Sequence, residues 1–382
     1  MNVKQILVLT AVLFLAVPDT AQAIPQFARK YGLDCSYCHS GPPRLNQRGE
    51  DFLARGYRFG AEMLMPAHRT LPVAFWNTVD LEHRASADLT KGFPSRVELI
   101  SAGTIGRTPL SYFVEWRALS QQIGSGNRLL NRSGRFEDAL VNVPFTRGLT
   151  LTVGQFRALG QVDVSRRLSI SEPLAFSSGV AARARAATSR LTSLRGFSPA
   201  GRQPGLRLTY QTTGDAHAAD GWYSAVTLPL VGELTIPLTD AASFEFEARP
   251  KGVFAETFYR RGLSSLGGHA FLGDRRRLGH LVAMRQFGES LAVLGVVGFD
   301  RLADATRTRY SVGTEYTFTE RLVAGLRVDH RTGQGRDPAL LVFLNGHLPF
   351  GPPAFRQSLR LQLEQRFQAT SNATLLGFSH IF

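Results

Sequence analysis

Three residues near the N-terminus have the types and the spacing that covalent haem binding requires. Cys35 and Cys38 are separated by two residues, and His39 follows directly. This C-x-x-C-H order is typical of c-type haem attachment, in which two thiols reach the vinyl groups and the next imidazole binds the iron. We therefore expect Cys35 and Cys38 to anchor one haem c as thioethers, with His39 as the proximal ligand of the iron.

Other uses of a cysteine pair fit the sequence less well. A redox-active C-x-x-C normally lies in a βαβ context, which the flanking residues do not supply. A zinc site needs about four nitrogen or sulfur ligands, and the chain has only 2 cysteines. A disulfide across so tight a turn has poor geometry.

The second axial ligand of the iron stays open between three residues. Met63, Met65 and His68 follow the motif on a segment that contains Pro66. We favour Met65 because Pro66 stiffens the chain beside it, with Met63 or His68 as alternatives and an open sixth position as a further one. The choice matters, since thioether ligation raises the redox potential relative to bis-histidine ligation.

Residues 1–23 have the features of a secretory signal peptide. Lys4 supplies the positive charge, the run from Ile6 to Val17 is apolar, and Ala21-Gln22-Ala23 forms a small-x-small cleavage site. The apolar run is too short to span a bilayer, so we expect it to be removed. Export also agrees with haem attachment, which takes place outside the bacterial cytoplasm.

Residues 24–70 are expected to form a small α-helical haem domain, similar to a monohaem cytochrome c. Phe27 and Tyr31, four residues apart, share one face of a short helix before the motif. Apolar residues recur at helical spacing after it, at Leu45, Phe52, Leu53 and Tyr57. In a domain of this size, the porphyrin would form most of the core.

Residues 71–382 change to a period of two, which is typical of β-strands. Val312, Tyr316 and Phe318 share one face of a strand. Leu322, Leu326 and Val328 likewise oppose Arg327 and Asp329. Long segments with one apolar and one charged face predict a transmembrane β-barrel with a polar lumen, since the strands of a soluble sandwich run shorter.

The spacing of the turns gives the strand number. Tight turns alternate with longer connections, as in bacterial outer-membrane barrels, and we predict an antiparallel barrel of about sixteen strands, within roughly 14 to 18. One strand is expected near residues 167–177. The Arg-rich stretch that follows, with Arg183, Arg185, Arg190 and Arg195, is expected in a mobile or inward-folded loop. The fold class is therefore all-β with a small α N-terminal domain.

Composition excludes several classes of function. The net charge of +14 is typical of nucleic-acid binding, but an exported protein rarely meets that partner. No G-x-S-x-G or H-E-x-x-H motif suggests a hydrolase. His217, His269, His280 and His347 fall near predicted strand ends or in loops, where solvated histidines are ordinary.

The N-terminal motifs resemble those of the fused cytochrome–porin family. The resemblance is carried by the haem motif and by the pattern Pro43-x-Leu45-Asn46-x-x-Gly49-x-x-Phe52-x-x-x-Gly56-Tyr57 ahead of a barrel. The best-known members are outer-membrane iron oxidases, so the resemblance implies an electron-transfer protein or an iron oxidase-type oxidoreductase. It implies haem-dependent transfer from an extracellular donor, with Fe(II) favoured, to a periplasmic electron-carrier cytochrome. The haem domain would lie in the barrel lumen or on its periplasmic side.

A porin-like solute channel with a structural or regulatory haem domain is the alternative function. Lumen charges commonly line solute pores, and the same alternating strands predict either use. In both cases the barrel would be embedded in outer-membrane lipid.

Overall fold

The structure is a computed structural model in which most of the chain after residue 26 is described. It describes residues 27, 31, 33–41, 44–57, 73–84, 89–106, 108–123, 129–131, 133–146, 148–159, 197–199, 201–212, 220–235, 243–273, 276–288, 290–302, 305–319, 321–332, 338–350, 357–368 and 372–381. The expected signal peptide lies outside these residues, as do Met63, Met65 and His68.

The N-terminal part of the described chain combines short elements of three kinds. A 3₁₀ helix, two short strands and one α-helix follow each other: Cys35–Tyr37, β1 (His39–Gly41), β2 (Arg44–Leu45) and α1 (Gln47–Ala54). Strands β1 and β2 form an antiparallel ribbon in which His39 pairs with Leu45. Phe27 and Tyr31 are helical. We call the described residues between 27 and 57 the N-terminal segment; it is less helical than the sequence predicts.

The rest of the described chain is made of strands. Their bounds are β3 (Val73–Arg84), β4 (Leu89–Thr104), β5 (Ser111–Ile123), β6 (Leu129–Asn131), β7 (Arg135–Thr146), β8 (Leu149–Arg157), β9 (Arg202–Gln211), β10 (Gly221–Thr235), β11 (Ser243–Pro250), β12 (Val253–Arg261), β13 (Ser264–Leu272), β14 (Arg276–Phe287), β15 (Leu291–Leu302), β16 (Ala305–Thr319), β17 (Leu322–Arg331), β18 (Ala339–Phe350), β19 (Gln357–Phe367) and β20 (Ala373–Ile381).

These strands close into an antiparallel barrel with 16 strands in its wall. Strand β20 pairs with β3 and so removes the sheet edge. Strands β11 and β12 pair with successive parts of β10 and act as one interrupted strand, whereas β6 pairs only with the end of β5. The prediction of about sixteen strands is therefore confirmed.

The strand expected near residues 167–177 falls outside the described residues. The Arg-rich stretch with Arg183, Arg185, Arg190 and Arg195 lies outside them as well. Among the described strands, β8 pairs directly with β9.

Alternation along each strand separates an outer and an inner surface. In β12, Val253 and Tyr259 are 43% and 47% exposed, whereas Phe254 and Phe258 between them are fully buried. In β16, Val312, Tyr316 and Phe318 point outward as the sequence predicts. A closed sheet with an apolar outer band is the form in which strands cross a bilayer, because no backbone group is left without a partner. Among the described residues, no helix is long and apolar enough to span a membrane.

The inner surface is only partly polar. Buried charged and amide side chains line it along β4–β9 and β16–β19. Along β12–β15 an apolar cluster lies between buried polar side chains such as Glu256 and Asp300; its members in these strands are Phe254, Phe258, Phe271, Leu278, Val282 and Val296. Leu159 and Phe197, from the connection between β8 and β9, pack on this cluster, and the Phe197 ring stacks on Phe271 at 3.8 Å between centroids. The inner surface along β12–β15 is therefore mixed, with an apolar cluster that the sequence does not predict beside polar side chains that it does predict.

Candidate functional site at the mouth of the barrel

The haem-type motif lies in a tight turn followed directly by a strand. Cys35 and Tyr37 bound the 3₁₀ turn, in which the Tyr37 amide donates to the carbonyl oxygen of Asp34 at 3.1 Å. Cys38 comes next, and His39 begins β1. The Cys35 side chain lies outside the described atoms. The backbone therefore brings the three predicted ligand positions together within one turn.

Asn46 holds this turn from behind. Its side-chain nitrogen donates to the carbonyl oxygens of Ser36 at 2.9 Å and Tyr37 at 3.1 Å, and its backbone amide donates to the Cys38 carbonyl oxygen at 2.9 Å. Its side-chain oxygen accepts from the Gly49 amide at 3.1 Å, which makes Asn46 the N-cap of α1. One residue thus fixes the turn and starts the helix.

Gly49 is required by the close approach of α1 to the same turn. A Cβ at this position would lie 2.2 Å from the Cys38 carbonyl oxygen and 2.9 Å from a Leu45 methyl group. Alanine in a helix is ordinarily more stable than glycine by roughly 0.5–1 kcal/mol. At position 49 the clash with the Cys38 backbone makes alanine the less stable residue.

We expect Gly49→Ala to force α1 away from the motif and to lower the amount of covalent haem per protein several-fold. The pyridine haemochrome absorbance of purified protein, divided by protein concentration, measures this ratio. Gly295→Ala is the matched control, since a Cβ there meets nothing within 4 Å. Equal haem content in the two variants would show that the contact with Cys38 is unimportant.

Aromatic side chains dock the N-terminal segment against the barrel wall. Phe27 and Phe52 are buried against each other, edge to face at 4.9 Å between ring centroids. Tyr57 stacks on Phe113 of β5 at 5.2 Å, and Ala102 of β4 joins the cluster. Such aromatic pairs add about 0.5–1.5 kcal/mol each beyond the area that they bury.

The end of α1 aims Tyr57 at the wall. Gly56 and Tyr57 both have positive φ, 65° and 64°, and the Tyr57 amide donates to the Phe52 carbonyl oxygen at 2.9 Å. A left-handed conformation is uncommon for a bulky residue such as tyrosine, so the packing on Phe113 must stabilise it. A Cβ on Gly56 would also lie 2.9 Å from the Ser111 hydroxyl oxygen.

Polar contacts join the N-terminal segment to two other parts of the barrel. Arg44 of β2 forms an ion pair with Glu315 of β16 at 3.4 Å and donates to the Thr317 hydroxyl. The Gln47 side-chain amide donates to Asp220, just before β10, at 3.1 Å.

Together with the aromatic cluster on β4 and β5, these contacts are spread around the circumference of the wall. All lie at the end of the barrel with the short connections between β4 and β5, β16 and β17, and β12 and β13, which we call the turn end. The described N-terminal segment therefore spans the mouth of the barrel at its turn end.

The Cys38 side chain is a free, half-buried thiol. Burial raises its pKa to about 11, although Arg48 acts in the opposite direction. The thiol therefore stays protonated near neutral pH, where a protonated thiol is a weak nucleophile. This environment disfavours a redox-active dithiol, the first alternative use of the cysteine pair.

Three histidines that the sequence places among solvated residues are buried instead. His269, His280 and His347 are each 5% exposed or less. Nε2 of His269 and Nδ1 of His280 lie 2.8 Å apart, beside the apolar cluster. His347 points inward from β18 and interacts electrostatically with His39. Their burial depends on neighbouring strands and on the N-terminal segment, which sequence spacing does not reveal.

A network of ion pairs crosses the inner wall from β4 to β9. Glu98 accepts from Arg117 at 2.6 Å, and Arg117 also holds Glu137 at 3.1 Å. Arg202 then binds Glu137 together with Glu115 and Asp138, the last two at 3.2 Å. We call these six residues the lumen ion-pair network. Among the described residues, no group of three or more His, Cys, Asp or Glu side chains is arranged to hold a metal ion.

Comparison of the sequence with protein-family models gives no match, and comparison with curated proteins gives none either. Solved structures do match. The outer membrane channel DcaP of Acinetobacter baumannii is 12% identical, with 81% of this chain and 96% of that one covered and a TM-score of 0.48.

Similar structures with a TM-score of 0.5 or slightly above include the following two. One, described as "Asymmetric conductivity of engineered proteins", is 11% identical and covers 81% of this chain and 99% of that one, with a TM-score of 0.51. The other, a mutant of the Rh. blastica porin, is 10% identical with the same two coverages and a TM-score of 0.50. At this identity the likeness is one of fold, and the chain is a barrel of porin-like form.

Proposed function

We propose that this chain is an outer-membrane barrel whose N-terminal segment carries one covalent haem c and passes single electrons between the two sides of the membrane. The observation that carries the proposal is the position of Cys38 and His39, which lie on a segment spanning the turn end of the barrel. In bacterial outer-membrane barrels the short turns face the periplasm. A group held there is accessible to a periplasmic partner.

The residues of the motif fit a haem c. Cys38 is a free thiol, as thioether formation requires. Asn46 holds the turn by hydrogen bonds to backbone carbonyl oxygens. These bonds involve neither the Cys38 thiol nor the His39 imidazole. Cys35 and Cys38 would hold the group, and His39 would bind the iron. When bound, haem supplies a one-electron redox centre whose potential depends on its axial ligands.

The partners follow from the resemblance to cytochrome–porins. An extracellular reduced donor, with Fe(II) favoured, would lose one electron per ion, and a periplasmic carrier cytochrome would accept it. The apolar band of such a barrel is about 25 Å tall and blocks ions and electrons alike. With Fe(II) as donor, the protein would act as an iron oxidase-type oxidoreductase.

A porin-like solute channel is the second candidate function. The fold comparisons support it more directly, because a similar structure with a TM-score of 0.50 is a mutant of the Rh. blastica porin. The lumen ion-pair network gives such a channel a charged wall. In this case the N-terminal segment would be structural or regulatory.

Two measurements on purified protein separate these functions. For electron transfer, we expect a c-type haem spectrum that changes from oxidised to reduced on adding anaerobic Fe(II). A haem that stays oxidised with Fe(II) and with other low-potential donors would contradict the proposal. Solute flux through reconstituted wild-type protein, unchanged when Cys35 and Cys38 are replaced, would favour the channel.

A further inference from the structure

His347 lies at the same end of the barrel as the haem-type motif and faces the lumen. It is 4% exposed and follows the inward side chain of Asn345 along β18, whereas Val342 points outward and is 47% exposed. Its backbone amide donates to the Arg321 carbonyl oxygen at 2.8 Å, in the turn between β16 and β17. The imidazole is therefore fixed at the turn end, inside the wall.

The N-terminal segment brings His39 to this part of the wall. Arg44, next to the residue that pairs with His39 in the ribbon, binds Glu315 and Thr317 of β16. Thr317 pairs across to Val323 of β17, and Val323 pairs to Asn345 of β18. His347 is two residues further along that strand. The two histidines lie close enough to interact electrostatically.

A hydrogen bond sets the direction of the His347 ring. Its Nε2 is bonded to the hydroxyl of Ser358 on β19, a residue that is 3% exposed. In the tautomer in which Nε2 donates to the Ser358 hydroxyl, Nδ1 presents its lone pair, and a ring held through one nitrogen while the other binds is the usual arrangement of metal-binding histidines. Ser358 would thus orient the ring as a positioning residue.

We propose that His347 supplies the second axial ligand to the haem iron whose first ligand is His39. The inference rests on the proposed covalent haem and adds a ligand from the barrel wall rather than from the segment with Met63, Met65 and His68. Axial ligation by β18 would join the N-terminal segment to the barrel. Bis-histidine ligation would also give a lower potential than ligation by a methionine.

The test compares the ligand state of the iron in full-length, haem-loaded variants. Wild-type protein should give the low-spin electron paramagnetic resonance and near-infrared circular dichroism of bis-imidazole ligation. His347→Ala should become high-spin. His347→Met should gain the thioether charge-transfer band and a raised midpoint potential. His330→Ala is the matched control, since that ring stacks on Tyr310 near the opposite end of β17, and it should match the wild type.

Other outcomes overturn the inference. A thioether band in the wild type that disappears in Met65→Ala would assign the ligand to Met65. A five-coordinate iron in the wild type would also exclude His347. So would a spectrum of His347→Ala that is unchanged from the wild type. If heat-dependent gel mobility shows that His347→Ala does not fold, Ser358→Ala replaces it. Ligation by His347 predicts a mixture of spin states in Ser358→Ala, because the imidazole loses its fixed direction. A spectrum of Ser358→Ala equal to the wild type counts against ligation. Protein without haem would refute the proposed function as well, whereas haem with another ligand refutes only this inference.

Discussion

Replacing both Cys35 and Cys38 by alanine is expected to remove all covalent haem and leave the barrel folded. The two thiols are the only side chains in the chain able to form thioethers, since it has 2 cysteines. The turn keeps its shape because Asn46 braces it through carbonyl oxygens. Haem-dependent peroxidase staining after denaturing electrophoresis measures the covalent haem, and heat-dependent gel mobility measures the folded barrel.

Ser36→Ala is the matched control in the same turn. Ser36 accepts the hydrogen bond from Asn46 through its backbone carbonyl oxygen, which alanine keeps, so this variant should keep wild-type staining. Haem that stays on the double cysteine variant after denaturation would contradict the assignment of the motif. Loss of the barrel in that variant would instead show that the thiols stabilise the fold.

Replacing Arg202 by methionine is expected to be the most destabilising single change in the barrel wall. The guanidinium binds Glu115, Glu137 and Asp138 inside the barrel. Methionine fills much of the same space but leaves three carboxylates close together without their shared cation. Removing one partner of a buried ion pair typically costs about 3–5 kcal/mol. Guanidinium unfolding in detergent, followed by tryptophan fluorescence, measures the change in free energy.

Two further variants control this experiment. Arg261→Met removes an exposed guanidinium at the end of β12 and should change the free energy of unfolding by less than about 0.5 kcal/mol. Adding Asp138→Asn to Arg202→Met should recover part of the loss, because one uncompensated carboxylate is removed. A midpoint for Arg202→Met equal to that of Arg261→Met would mean that the ion pairs contribute little.

The sequence predicts the barrel strands correctly where the two faces of a strand differ in polarity. Leu326 is 48% exposed whereas its neighbours Arg327 and Asp329 are buried, so this contrast predicts the strand and its inward face correctly. The same test fails for β12, whose outward Val253 and Tyr259 are matched by inward Phe254 and Phe258. The inward phenylalanines belong to an apolar cluster that Leu159 and Phe197 complete from the long connection between β8 and β9. A period of two carries no information about such contacts.

The candidate site is also predicted only in part from the sequence. Spacing alone predicts the roles of Cys35, Cys38 and His39. The brace by Asn46 and the close approach at Gly49 are local in sequence, but their function depends on a turn geometry that a pattern does not give. The sequence does not predict the position of His347. Its burial and ring direction depend on Ser358 of β19 and on the N-terminal segment, which is about three hundred residues away in the chain.

The most direct test of the relay is electron transfer across a sealed membrane. Vesicles containing the protein in one orientation would enclose an oxidised carrier cytochrome, and anaerobic Fe(II) would be added outside, on the side of the longer loops. We predict that the enclosed cytochrome becomes reduced with wild-type protein and stays oxidised with the variant lacking Cys35 and Cys38. Equal reduction in both would mean that Fe(II) enters through an open pore and that the barrel acts as a channel.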